Sequence, residues 1–268
     1  YLKYVKNRRN TYFLLTLFFF ICSFLGKEQA VTLPVCLLLI DYFVGRDFHN
    51  RELWVEKISF FSLSLLGGIL TILSQGSEGE ELIYSLDYRI LFACYTTFEY
   101  MVKSFLPVNL SYIYPFPVLP EESIPLRLWF YPIIVLTGSG MLFVYRKNKI
   151  VMFSILFLVL HVAVALHLIS ISRFTIVADR YLYLGCIGTS FLTVWIFFHF
   201  IQALSEKWKR LLISACFALY LIYLGTYCFS YTKDWKDTDT LKSHVRKLIK
   251  NRENSSPLKK HGEPFNNN

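Results

Sequence analysis

No two of the six cysteines stand at CxxC spacing, and no histidine pair is set in an HExxH pattern. Most of Cys22, Cys36, Cys94, Cys186, Cys216 and Cys228 lie inside apolar runs, where a thiol serves as a small hydrophobic filler rather than a disulfide or metal ligand. His161 and His167 fall on one predicted helix but six residues apart, so they point to different faces. Neither a metal site nor a cofactor is expected. Charge is scarce, at 18% of residues against 54% hydrophobic. Glycine (12) and proline (9) are too few for a low-complexity or fibrous chain. No polar stretch is long or apolar enough to fold alone as a soluble domain. The net charge of +9 would suggest nucleic acid in a soluble protein, but no helical or aromatic-basic module carries it here, so nucleic-acid binding is excluded.

What is present is apolar sequence in long runs. Several reach the roughly 17–25 residues that a helix needs to cross about 30 Å of hydrocarbon. The chain therefore reads as an all-α polytopic membrane protein. Spans are expected at 11–26, 29–44, 58–74, 128–145, 150–169, 182–203 and 211–230, seven in all. The first two are short and need tilt or interfacial extension. The run 89–107 is read as a helix lying along the interface or re-entering the bilayer, because Glu99 and Lys103 share one face of it; an eighth span is the alternative.

The loops sort by charge. Lys3, Lys6, Arg8 and Arg9, then Arg46, Arg51 and Lys57, then Arg146, Lys147 and Lys149, then Lys207, Lys209 and Arg210 mark cytoplasmic loops. Parity puts the Lys27–Glu28 turn, the acidic segment 75–127 and the loop around ISRFTIVADRYLYL outside. Residues 1–230 form the expected transmembrane domain. Residues 231–268 form a polar outer-face tail, a short helix and then a disordered end, although its basic excess runs against the charge rule. The chain starts at Tyr1 in a basic loop, shows no signal peptide, and reads as a piece of a longer protein.

Three polar clusters fall on the outer side. One is Lys27–Glu28, in GKEQAVTLP. The second is SQGSEGEELIYSLDYR. The third holds Arg173, Asp179, Arg180, Tyr181 and Tyr183. Lysine and arginine at a lipid–water boundary suit the phosphate of a lipid-linked substrate, and tyrosine stacks on a sugar ring or sits in the interfacial belt. Each cluster also has a plain reading: a solvated turn, an acidic outside loop, or an Asp179–Arg180 ion pair closing a helix end. LPVNLSYIYPFPVLP, rich in proline and tyrosine, is expected as an ordered extended loop.

The blocks KEQAVTLPVCLLLIDYF, FLPVNLSYIYPFP, ADRYLYLGCIG and YTKDWKDTDTL occur in an order that resembles the bacterial relatives of the TMTC O-mannosyltransferases, from about Phe13 to Leu241. These are polytopic glycosyltransferases of the GT-C superfamily, whose membrane domain is followed by tetratricopeptide repeats. The resemblance covers the later part of that membrane domain. It implies transfer of a sugar from a polyprenyl-phosphate-linked donor to a protein or glycan acceptor at the outer face of a bacterial inner membrane. It also implies a donor-phosphate or substrate site drawn from Lys27, Glu28, Arg173, Asp179, Arg180 and Tyr183, with Glu28 and Asp179 orienting the cations. The family's catalytic aspartate belongs to a loop before the segment matching Tyr1, so no catalytic base is assigned. Gly185 stands where the family block has proline. The other readings are a transporter or flippase for a lipid-linked sugar, and a membrane anchor for the repeats.

Overall fold

A computed structural model describes residues 1–74, 84–111, 114, 116–118, 123–166, 176–243 and 246, apart from the Glu28 side chain. Among these residues the chain is helical and contains no strand. The helices are α1 (Leu2–Asn7), α2 (Asn10–Gly26), α3 (Leu33–Val44), α4 (Arg51–Ser74), α5 (Leu86–Phe105), α6 (Phe130–Val144), α7 (Lys149–Val162), α8 (Leu182–Ala203) and α9 (Lys207–Thr232), joined by short 3-10 turns. The acidic stretch 75–83, His167, Arg173 and the tail beyond Arg246 lie outside the described residues.

Among the described residues, four helices are long and apolar enough to cross a membrane: Arg51–Ser74, Leu126–Val144, Asp179–Ala203 and Lys207–Trp235. The expected count of seven is not carried. The apolar runs at 11–26, 29–44 and 150–169 form shorter helices, Asn10–Gly26, Gln29–Val44 and Lys149–Ala165. Local chemistry sets these limits. Proline occupies the first turn of α3, where a missing N–H costs nothing. The Asn148 side chain accepts from the amides of Ile150 and Val151 and so fixes the start of α7. Gly45, at φ 81°, ends α3 in the left-handed conformation, and the Arg46 amide then reaches back 2.9 Å to the Asp41 carbonyl.

Helices α7 and α8 run antiparallel in close contact. Gly185 faces Leu158, and Gly188 lies against the backbone of Ser154. Missing side chains let two helix backbones approach, and in lipid that dispersion contact replaces the hydrophobic drive available in water. Helix α3 packs on α7, and Phe43 meets Phe153 and Phe191. The bundle therefore has two ends. Asp41, Arg46, Tyr1 and the Arg146 carbonyl meet at one. Lys27, Val31 and the start of α8 meet at the other, where Ser64 on α4 donates to the Val31 carbonyl.

Helix α5 does not run through the bundle from end to end. Tyr84, just before it, stacks on Phe116 and donates to the Val118 carbonyl, while Tyr100 near its close exchanges hydrogen bonds with Ala178. Phe92, Ala93 and Tyr100 share a core with Leu128, Leu158, Val162, Ile176 and Leu182. Those partners are the start of α6, the close of α7 and the start of α8, so α5 lies across the Lys27 end. The described part of the proline-tyrosine segment is not helical, and Tyr114 pairs with Val177 in a single antiparallel bridge. Helix α9 is fastened to the preceding residues by a row of tyrosines on one face. Tyr220 donates to the Phe105 carbonyl, Tyr223 donates to the Pro107 carbonyl, and the Tyr227 hydroxyl accepts from the Leu110 amide.

Candidate functional site

Each end of the bundle carries a polar cluster, and the two differ in how far their charges are exposed. At the Asp41 end, Lys57 bonds Asp41 at 2.6 Å with both side chains shut off from the surface. The Tyr1 hydroxyl donates to Asp41 and accepts from Lys57 and Arg46. Arg46 makes a two-pronged contact with Glu56 at 2.8 and 3.0 Å, and Arg8 closes on Glu56 from outside. Burial works against the charge on Arg46, but Glu56 and Asp41 outweigh it and hold the guanidinium above its ordinary pKa. Burial and the Asp41 carboxylate push the Tyr1 hydroxyl far up, so it remains a donor. No buried nitrogen or oxygen of this network lacks a partner. A shallow depression of about 590 Å³ beside it is lined by Tyr4, Arg8, Arg51, Glu52, Val55 and Glu56, but its Arg8 and Glu56 already pair with each other. Sequence reading missed the network, because Arg46 and Lys57 were taken as loop charges and Asp41 as part of an apolar run. The signal was a lone aspartate within LLLIDYFV.

The Lys27 end is different. Lys27 and Arg180, far apart in sequence, converge on one ring: Lys27 Nζ lies 5.1 Å from the centre of the Tyr181 ring, and the Arg180 guanidinium carbon 5.2 Å from it. Both side chains are exposed, at the entry to the long apolar helix that begins at Asp179. The positive end of that helix adds to their field. Asp179 is half-buried beneath them. Its Oδ2 accepts from the Ser111 amide at 2.5 Å and lies 3.2 Å from the Tyr114 hydroxyl. That hydroxyl is closer to the Asn109 carbonyl, at 2.7 Å, so its single proton is shared and Asp179 gets the weaker part. Burial and the Asp179 charge push Tyr114 far above its ordinary pKa, which keeps it protonated. Lys103, nine-tenths buried, lies over the Tyr114 ring at 4.5 Å and bonds Glu99 at 3.0 Å.

One buried polar atom at this end, Gln29 Nε2, has no hydrogen-bond partner among the described residues, and the Tyr231 hydroxyl acts on the Asp179 carboxylate from α9. A buried polar group without a partner costs about 1–3 kcal/mol. The Asp41 cluster is buried and paired within itself, whereas the Lys27 end presents two exposed cations.

Of the expected residues, the structure brings Lys27, Asp179 and Arg180 to one place. It sets Tyr183 apart, 79% exposed on α8. The Glu28 side chain and Arg173 lie outside the described residues. Tyr181, Tyr114, Ser111, Lys103 and Tyr231 complete the cluster. Tyr231 comes from α9, and no residue pattern signals that it meets Asp179. The described histidines, cysteines and carboxylates hold no group of three placed for a metal. No family model matches the chain, no curated protein is significantly similar to it, and no solved structure resembles it.

Proposed function

We propose that this chain is part of a GT-C-like membrane glycosyltransferase that moves a sugar from a polyprenyl-phosphate donor to a protein or glycan acceptor. The convergence of Lys27 and Arg180 on the Tyr181 ring carries the reading. A lipid phosphate rests at the boundary where apolar helix gives way to water, and these two cations stand at the start of such a helix. Lysine supplies a point charge and arginine a fork of donors for phosphate oxygens. As the acceptor hydroxyl gives its proton to a carboxylate base supplied by the rest of the protein and its oxygen attacks the anomeric carbon, the bond from that carbon to the phosphate oxygen breaks. Negative charge then grows on the departing phosphate, where fixed cations stabilise it most. The test is transfer of labelled sugar from a polyprenyl-phosphate-linked donor by the full-length protein. Lys27→Ala and Arg180→Ala each lower kcat/KM by roughly tenfold or more while the protein still inserts. Transfer at the parental rate by both variants would sink the reading.

The same proposal has the three shorter apolar helices crossing too, with α5 lying at the interface on the outer side and the whole chain in a bacterial inner membrane. The antiparallel packing of α7 on the long α8, and of α3 on α7, supports this. So does the meeting of the basic loops 1–9, 45–57 and 146–149 at one end. Single cysteines in a background without the six native ones test it. A cysteine at position 27 is labelled by an impermeant reagent from outside, and one at position 148 is not. Outside labelling at 148 overturns the orientation.

A further inference from the structure

The Asp41 end of the bundle carries positive charge that its buried network does not use. Asp41 and Glu56, the acids of that network, are matched there by Lys57 and Arg46. Around it Lys3, Lys6, Arg9 and Arg51 are exposed, and none of them pairs with a carboxylate among the described residues. Arg8 spends one guanidinium nitrogen on Glu56, and its side chain stays half exposed. Against these, Asp47 and Glu52 are the exposed acids of the loops 1–9 and 45–57. Arg8, Arg51 and Glu52 line the depression of about 590 Å³, and Tyr4 and Val55 give it apolar walls. Trp54 marks its depth. The indole is 47% exposed and donates to the Phe48 carbonyl at 2.9 Å, which holds the ring near the start of α4, a helix long and apolar enough to cross a membrane. Tryptophans placed this way sit at the headgroup level of a bilayer. Arg51 lies about one turn farther out on the same helix, roughly 4.5 Å along its axis, where lipid phosphates are found.

We propose that this depression binds an anionic glycerophospholipid, with its phosphate on Arg51 and the remaining donors of Arg8, and its upper acyl chain against Tyr4 and Val55. The site lies at the end of the bundle away from Lys27 and does not depend on sugar transfer. An ion in water gains nothing from Val55, which is 55% exposed, whereas a phospholipid carries an acyl chain directly below its phosphate. Arginine suits that phosphate because its planar fork meets two oxygens at once. Lys3, Lys6 and Arg9 add a wider positive field, which draws anionic lipid to this end without choosing where it docks. Glu52 on the rim opposes the bound anion, so its charge lowers the affinity that the arginines supply.

The test places the full-length protein in phosphatidylcholine vesicles that carry a small fraction of acyl-brominated lipid, either phosphatidylglycerol or phosphatidylcholine. Bromine quenches a tryptophan that it touches, and the share of Trp54 is read by difference against a Trp54→Phe protein. Brominated phosphatidylglycerol quenches Trp54 as though enriched roughly five- to thirtyfold over brominated phosphatidylcholine. Arg51→Gln, at a side chain that pairs with nothing in the fold, lowers that enrichment about fivefold. Glu52→Gln raises it about two- to fivefold. Lys147→Gln combined with Lys149→Gln removes twice the charge of Arg51→Gln from the same end but outside the depression, and changes the enrichment by less than about twofold. Equal losses from Arg51→Gln and from the lysine pair would reduce the effect to general attraction and overturn the site. Loss of the enrichment when inorganic phosphate replaces chloride at matched ionic strength would assign the depression to a soluble anion and overturn the lipid. Loss of sugar transfer in these proteins has no bearing on either outcome.

Discussion

Replacing Lys57 by methionine is expected to destabilise the protein by about 3–5 kcal/mol, the range for breaking a buried ion pair by removing one partner. Lys57 is 1% exposed and Asp41 is fully buried, so removing the ammonium leaves two carboxylates, Asp41 and Glu56, to a single buried guanidinium. The loss follows less from the strength of the pair than from the stranded partner. A double variant, Asp41→Leu with Lys57→Met, removes both charges and is expected to recover most of the stability, since a hydrophobic replacement of similar volume is often neutral. Unfolding in mixed micelles with increasing SDS measures both. If the single variant is as stable as the parent, the network is not the structural latch described above. If the double variant is no better than the single, the damage lies in packing rather than in stranded charge.

Gly188→Ala is expected to cost about 1–3 kcal/mol through overpacking. A Cβ there would lie 2.4 Å from the Ser154 carbonyl oxygen and 3.3 Å from Phe157 Cβ. The nearer atom is backbone, which no rotamer change can move, so α7 and α8 must part along their length. Gly185→Ala makes the instructive contrast. Its Cβ would meet the end of the Leu158 side chain at 2.8 Å, which can swing aside at smaller cost. Gly138 and Gly140 on α6 face open space, and alanine at either is expected to be neutral or stabilising by about 0.5–1 kcal/mol through the lost backbone entropy of glycine. Equal stability for the Gly188→Ala and Gly138→Ala proteins would refute the close α7–α8 approach.

The apolar runs announced the helices, because length and composition alone decide which segments lose by meeting water. Helix ends were less visible. Proline, glycine and asparagine set those ends where a run met a turn, as at Pro34, Gly45 and Asn148. The lengths were less legible: the run 150–169 keeps an apolar composition beyond Val162, where α7 gives way to a short 3-10 turn. The expected meeting of Lys27 with Asp179 and Arg180 came from cost: charges beside apolar runs must find one another, water or a ligand. Tyr183 was set apart because a one-residue choice along a helix turns a side chain by about 100°, and nothing in YLYL says which tyrosine faces inward. Lys103, Tyr231 and Tyr114 were illegible because they reach the cluster only through the docking of α5 and α9 and the bridge from Tyr114 to Val177.

The tyrosine row of α9 has a consequence for the order of assembly. Its hydroxyl bonds join residues 115 to 117 positions apart in the chain. Contacts of such long range close late, because the entropy of the intervening loop is lost before any bond is gained. During synthesis α9 is the last of these helices to leave the ribosome. Until it docks, the carbonyls of Phe105 and Pro107 and the amide of Leu110 lack the partners they have in the finished fold, and the backbone leading to Ser111 is untethered. A nascent chain thus reaches its apolar bundle well before the surroundings of Asp179 are fixed, and a ribosome stalled just short of Tyr220 would hold a membrane-inserted intermediate still open at that end.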